Sequence, residues 1–339
     1  VITIAVNQTY NIGFLGTGLT KPFADLDNIV FYEPISNIYA VVDTDIERAK
    51  AFARKYNAKI YGADYLPFVE DKETDIVICA TYPHSHLEIL KACVKNKKHL
   101  LCEKPITPDL ESAKEFMEIV KSSDIKVQIG YILRFNETYR KVAELIQSGL
   151  IGSPLIIRMS HNQHIMDWRK YGALMKDTSP LIDCGVHYFD LIRWFTGEEI
   201  VDVSGISSTV DEKTPENTYN YGLATMKLSG GSVAFYEAGW GNTIASAHIN
   251  EFIGPKGRIS VTEREYRMGC QEEGDLISHF DYETNTYNTI NVNCKRRPMG
   301  KQLERLIDMI EKGVESFPDN DDVIKSFETA LMADKAIRN

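Results

Sequence analysis

The feature that most limits what this chain can fold into is the rhythm of its first 130 residues. Five short apolar runs, at residues 11–15, 37–42, 75–80, 98–102 and 125–129, are rich in Ile, Val or Leu. Unbroken apolar character without alternation predicts strands buried on both faces. Between them lie segments with apolar residues at helical spacing. Residues 46–56 carry Ala49, Phe52, Ala53 and Tyr56; residues 85–96 carry Leu87, Leu90, Ala92 and Val94; residues 110–121 carry Ala113, Phe116, Met117 and Val120. The last follows a Thr107-Pro108-Asp109 helix start. Strand–helix alternation predicts a doubly wound parallel sheet, with the ligand crevice at the carboxyl ends of its strands.

The 339 residues exceed one hydrophobic core, so two domains are expected: 1–130 and 131–339. From Leu155 the texture changes. Runs at 154–161, 200–210, 219–228, 232–239 and 246–254 alternate with period two, separated by turns such as Ser229-Gly230-Gly231 and Gly254-Pro255-Lys256-Gly257. That pattern predicts an α+β domain with a mostly antiparallel sheet. Two amphipathic helices, 300–313 and 321–338, close the chain and could pack back on the first domain; Pro318-Asp319-Asn320 starts the second.

A net charge of -10 argues against non-specific nucleic-acid binding. No apolar run approaches the ~20 residues of a membrane-spanning helix, and residues 1–10 lack the basic and apolar regions of a secretory signal. The six cysteines, Cys79, Cys93, Cys102, Cys184, Cys270 and Cys294, are scattered without a C-x-x-C pair. Reduced, mostly buried thiols in a cytoplasmic protein are expected, with no metal site.

The first predicted strand runs into Gly13-Phe14-Leu15-Gly16-Thr17-Gly18-Leu19-Thr20-Lys21-Pro22, which reads as G-x-G-x-x with Lys21 in the third glycine position. Gly16 would make the tight turn, and Gly18 would let a pyrophosphate approach the backbone; a helix N-terminus would follow. Asp43 closes the second strand. Its separation of 25 residues from Gly18 exceeds the usual spacing of about 20, and a loop insertion at 31–36 accounts for the difference. An acid there accepts ribose hydroxyls and repels a 2′-phosphate, which favours NAD over NADP. Arg48, one helical turn further on, is expected to be solvated.

Three segments are more specific: Asp75 to His86, containing Thr81, Pro83 and His86 as T-x-P-x-x-H; Cys102-Glu103-Lys104-Pro105; and Asp183-Cys184-Gly185-Val186-His187-Tyr188-Phe189-Asp190. Together with the glycine loop, Asp43 and a G-x-x-x-R-F-N stretch from Gly130 to Asn136, they resemble the glucose–fructose oxidoreductase/inositol dehydrogenase/rhizopine-catabolism (Gfo/Idh/MocA) family nearly end to end. One departure is 176–180, Lys-Asp-Thr-Ser-Pro, where members usually carry a glycine-rich run.

The resemblance implies hydride transfer between nicotinamide and a hydroxyl carbon of a sugar, cyclitol or related polyol, and a homodimer or homotetramer. It implies cofactor contacts at Gly16, Thr17, Gly18, Leu19, Asp43, Thr81, Pro83, His86, Glu103 and Lys104. His187 is the candidate general acid/base, because imidazole titrates near neutrality. Asp183, four residues earlier, would share its helix face and touch substrate or orient the imidazole. Gly185 between them would leave room for cofactor or substrate. Lys104, at a strand end, would donate to the substrate oxygen. His86 is expected to cap its helix or pack beside nicotinamide. Relatives imply substrate contacts at Arg134, Asn162, Trp168 and Arg169, with Asn136, Gln163 and Tyr171 nearby; His161 and His164 end a strand toward solvent or the pocket. Phe235, Tyr236 and Trp240 would suit a subunit interface, or else the core. Two other readings share the scaffold: a redox-neutral NAD-dependent glycosidase, and a non-catalytic dinucleotide sensor.

Overall fold

The computed structural model describes residues 9–17, 36–165, 172, 174, 175, 177–264, 274–293 and 297–338. Gly18, Leu19, Lys21, Trp168, Arg169, Tyr171, Cys270 and Cys294, and with them part of the expected cofactor and substrate set, lie outside the described residues. The chain divides into two compact units, residues 1–132 with 297–320, and residues 133–296 with 321–339.

In the first unit, six parallel strands stand in the order β3-β2-β1-β4-β5-β6: β1 (Tyr10–Leu15), β2 (Ser36–Val42), β3 (Ile60–Gly62), β4 (Ile76–Cys79), β5 (His99–Cys102) and β6 (Val127–Ile129). All four residues of β4 are buried, as an apolar run without alternation requires. The helices α1 (Ile46–Lys55), α2 (Leu66–Glu70), α3 (His86–Lys95) and α4 (Leu110–Ser122) fill the crossovers. Asp109 caps α4 by accepting the Ser112 amide at 2.9 Å, so the expected start is the observed one. β3 and α2 were not legible: three residues of mixed burial and a five-residue helix are too short to show a period.

In the second unit an eight-stranded sheet runs β14-β13-β12-β11-β7-β10-β9-β8. Its strands are β7 (Ile156–His164), β8 (Ile200–Ser208), β9 (Tyr221–Leu228), β10 (Val233–Gly241), β11 (Ala247–Ile253), β12 (Gly257–Thr262), β13 (Asp275–Asp281) and β14 (Thr286–Val292). Only the β7–β10 pair is parallel. The helices of this unit are α5 (Glu137–Gln147), α6 (Pro180–Asp183), α7 (Gly185–Thr196) and α9 (Asn320–Arg338); α8 (Met299–Lys312) belongs to the first unit. The sequence reading stopped before the last three strands: β14 has no buried residue and so shows no period, whereas β12 alternates, with Gly257, Ile259 and Val261 buried, and was missed despite that signal.

Period two sorts β10. Tyr236, Ala238 and Trp240 are buried, and Tyr236 stacks on Tyr188 of α7 at 4.7 Å between ring centroids. Tyr236 and Trp240 are therefore core, whereas Phe235 points to the other face, beside Ile156 and Val233.

A buried ion network joins residue 134 to α7 and α9. Arg134 donates two bonds of 2.8 Å to Asp190 and one of 3.0 Å to Asp322, and lies 5.2 Å over the Trp194 ring. Arg193 reaches Asp322 at 3.0 Å and Ser326 at 3.1 Å. Burial pushes the Asp190 carboxyl up against the pull of Arg134, so this pair depends on both partners. Removing one leaves an uncompensated charge. Arg134→Ala is expected to lower unfolding stability by about 3–5 kcal/mol, while Lys141→Ala, which breaks an exposed pair with Glu144, should stay within about 0.5 kcal/mol of wild type. Urea unfolding checks both; equal midpoints would remove the structural role given to Arg134.

Candidate active site

The first unit gathers its polar groups where β1, β2, β4 and β5 end. Gly16 follows β1 with φ +89°, and a Cβ there would lie 2.6 Å from the Ala80 carbonyl oxygen. Only glycine allows this turn to pass so close to the end of β4. Its amide donates to the Val42 carbonyl at 2.8 Å, which ties the turn to β2 as well.

Asp43, directly after β2, is buried and holds the turn from below. Oδ2 accepts from the Thr17 amide at 2.7 Å and from the Thr17 hydroxyl. Oδ1 accepts from the Asp45 amide at 2.8 Å and from Arg48 Nη2 at 2.7 Å. Burial alone would raise this carboxyl; bonds from Arg48, Thr17 and the Asp45 amide hold it below its ordinary value. Arg48 was expected to be solvated; it is an ion-pair partner, with its side chain 49% exposed. The four donors fill the acceptor capacity of the carboxylate. A further donor could bond to it only by displacing one of these four, and Arg48, whose side chain is half-exposed, is the one that water can re-solvate most cheaply.

Beyond β4, Thr81 Oγ lies 2.6 Å from Ser85 Oγ and 3.2 Å from Cys79 Sγ, and Pro83 opens a 3₁₀ turn, Pro83–Ser85. His86 neither caps α3 nor faces solvent. It is fully buried, with Nε2 3.1 Å from the Thr81 carbonyl oxygen and Nδ1 3.1 Å from that of Ile106. The imidazole thus clamps the loop after β4 to the loop after β5. Burial lowers its pKa, but Cys79 and the two carbonyls outweigh this and raise it. Glu103 sits where a Gly130 Cβ would meet its carboxylate at 3.1 Å, and it accepts from the Lys104 amide at 3.2 Å. Lys104 itself is half-buried.

In the second unit, α6 and α7 are separate helices broken at Cys184, where a single helix was expected. Backbone angles stay right-handed through the break, so Asp183 and His187 keep the i, i+4 relation. Both are half-exposed on a segment otherwise buried from Pro180 to Ile192. Gly185 is explained by packing, since a Cβ there would meet Phe189 at 2.9 Å and Tyr236 at 3.1 Å; the expected approach of a ligand is not what requires it.

Beside these helices stand His161 and Gln163 of β7. His161 Nδ1 is 2.7 Å from the Tyr188 hydroxyl, His161 Nε2 is 2.5 Å from Gln163 Nε2, and Gln163 reaches Cys184 Sγ at 3.5 Å. An amide nitrogen only donates, so this arrangement leaves Nδ1 of His161 to carry its proton toward Tyr188.

Two expected substrate contacts are corrected. Asn162 alternates to the opposite face of β7, where it donates to Glu237 at 2.7 Å. Arg134 is held in the ion network, and Asn136 caps α5 by accepting the Tyr139 amide at 3.2 Å. His164 is exposed, 3.0 Å from the Ile244 carbonyl oxygen.

A glycine turn, an acid closing β2 and polar loops at the next two strand ends are the arrangement of a dinucleotide-binding fold. Two family models match the chain: the NAD-binding Rossmann fold of an oxidoreductase family over residues 10–131, and the GFO/IDH/MocA C-terminal domain over 139–260. Inositol 2-dehydrogenase 4 of Saccharopolyspora erythraea is 30% identical over 237 residues, 68% of this chain and 67% of that one. Myo-inositol 2-dehydrogenase of Thermotoga maritima is 26% identical over 250 residues, 72% of this chain and 74% of that one. Among solved structures, the aldose-aldose oxidoreductase of Caulobacter crescentus complexed with glycerol superposes with a TM-score of 0.82 at 19% identity, over 98% of each chain. The scyllo-inositol dehydrogenase of Lactobacillus casei with NAD(H) and scyllo-inositol gives 0.76 at 21%, over 97% of each. The chain belongs to the Gfo/Idh/MocA family. It is an NAD-binding dehydrogenase of CH–OH groups.

Gly16→Ala is expected to cost about 1–3 kcal/mol in urea unfolding; an undiminished midpoint would mean that the turn is not held as described. Asp43→Asn should weaken NAD binding about tenfold, the worth of one charged hydrogen bond. Arg48→Ala should leave it equal or tighter, by calorimetric titration. A loss in Arg48→Ala as large as in Asp43→Asn would show that the guanidinium itself holds the cofactor.

Proposed function

We propose that this chain oxidises a secondary hydroxyl of a cyclitol or sugar, with His187, Asp183 and Lys104 as its proton-handling groups and NAD rather than NADP as cofactor. The observation that carries this reading is the pairing of Asp183 and His187, two half-exposed polar side chains on a buried helical segment, flanked by His161 and Gln163. A carboxylate, two imidazoles and an amide together offer both donors and acceptors, which suits a ring of hydroxyls. The inositol dehydrogenases among the relatives support the substrate class.

Bound NAD supplies the hydride acceptor. His187 takes the hydroxyl proton as the carbon is oxidised, a task matched to a group titrating near neutral pH. Asp183, one helical turn away, orients the imidazole or the neighbouring hydroxyl and stabilises the imidazolium. The Lys104 ammonium stabilises negative charge developing on the oxygen. Gly16, Thr17, Asp43, Thr81, Pro83, His86 and Glu103 bind or shape the loops that bind the cofactor.

No described helix is long and apolar enough to cross a membrane. We place the enzyme in the cytoplasm, as a homo-oligomer. The open face of the second unit's sheet supports the assembly, because it exposes Ile156, Ile206 and Val233, at 50%, 65% and 43%.

The test is reduced-nicotinamide absorbance with NAD or NADP and a panel of inositols, aldoses and sugar acids. Substrate-dependent NADH formation is expected, falling at least about a hundredfold in Lys104→Met and His187→Asn, the usual worth of a general acid or base. Tight NAD binding without net reduction on any substrate would turn the assignment toward the redox-neutral glycosidase if glycosides are cleaved, and toward the sensor if they are not. A monomer in sedimentation would remove the oligomer.

A further inference from the structure

Two cysteines that the mechanism leaves aside meet His86 in the core of the first unit. Cys79 ends β4, Cys102 ends β5, and the two are paired across the parallel ladder. His86 opens α3. All three are fully buried, and Sγ of Cys79, Sγ of Cys102 and a ring nitrogen of His86 lie within 4.8 Å of one another. We propose that Cys79, Cys102 and His86 form a closed binding site for a thiophilic d10 cation, of which zinc(II) and cadmium(II) are the test ions.

The donor set has the right character. Two thiolates and an imidazole select zinc, cadmium or copper(I) over the hard cations. Bonds of about 2.3 Å to sulfur and about 2.0 Å to nitrogen place the ligand atoms roughly 3.5–4 Å apart around such an ion. The present separation closes with side-chain shifts of less than about 1 Å. Thr81 Oγ, 3.2 Å from Cys79 Sγ, is an oxygen donor beside the pair. A d10 ion imposes no geometry of its own, so three ligands and a neighbouring oxygen are acceptable.

Both ring nitrogens of His86 face a carbonyl oxygen at 3.1 Å. A neutral imidazole has one N–H and satisfies one of them, so the lone pair of the other nitrogen faces an oxygen, a contact that a bound cation relieves. A divalent ion held by two thiolates and a neutral imidazole carries no net charge, so it adds no unbalanced charge to a dry site. One ring nitrogen keeps its backbone carbonyl, the usual partner that orients a metal-bound histidine. The ion would brace the ends of β4 and β5 against the start of α3, directly under Thr81.

Sequence spacing concealed this site, because its ligands are separated by 7 and 16 residues and meet only through the β4–β5 pairing.

The full-length protein, stripped with chelator and desalted, would be titrated with zinc(II) or cadmium(II). Metal per chain would be read by mass spectrometry, the cadmium–thiolate charge-transfer band by ultraviolet absorbance, and released protons by indicator dye. The expected result is about one ion per chain with release of about two protons, and a thermal midpoint that rises with metal. Affinity should fall at least about tenfold in Cys79→Ser and Cys102→Ser. It should be unchanged in Cys93→Ser, whose buried thiol lies outside the set. Wild type holding less than about a tenth of an ion per chain, or showing no thiolate band, overturns the proposal whether or not the variants fold. Equal binding in Cys79→Ser and wild type overturns it too.

Discussion

A parallel strand buried on both faces can carry chemistry only where it stops. That constraint shapes the first unit. β1, β2, β4 and β5 are too apolar and too enclosed to present polar groups along their length, so Gly16 and Thr17, Asp43, Thr81, and Glu103 with Lys104 all fall at carboxyl ends. The ends must also satisfy each other. The Gly16 turn passes so near the Ala80 carbonyl that no Cβ fits, the Asp43 carboxylate gathers the turn from beneath, and His86 ties the β4 loop to the β5 loop. Cofactor recognition is built on a frame whose hydrogen bonds are already made.

The second unit solves the opposite problem. Its sheet is mostly antiparallel, so each strand has two different faces, and alternation decides which residues face the helical segment that carries Asp183 and His187. His161 and Gln163 lie against Tyr188 and Cys184, while Asn162 between them is paired with Glu237 on the far face. The same rule buries Tyr236 and Trp240 and leaves Phe235 on the open side. The helical segment keeps its register through a network of two arginines and two aspartates, in which neither sign of charge is tolerable alone.

Most of this architecture was written in local pattern. Period, caps and turn residues determined the alternation of strands and helices, the start of α4 at Asp109, the closing helices and the change of texture near Leu155. Gly16 and Asp43 stood out because a glycine turn and a strand-end acid are called for at particular places in such a backbone, whereas Lys104, Asp183 and His187 stood out through the family resemblance of their motifs. Elements too short or too polar to show a period, such as β3 and β14, were illegible for that reason.

What the sequence could not decide was pairing. Whether Arg134 meets a substrate or Asp190, whether Arg48 is solvated or bonded to Asp43, and whether Gly185 makes room for a ligand or for Phe189 and Tyr236 depend on neighbours 4 to 188 residues away. Cys79, His86 and Cys102 are the clearest case, unrelated by spacing yet in one buried cluster. The sequence by itself determined the backbone of the longer periodic segments, because that is set by interactions within a few residues. Only the tertiary structure decided which polar groups are already partnered, because burial makes every such group take the nearest complement that packing brings to it.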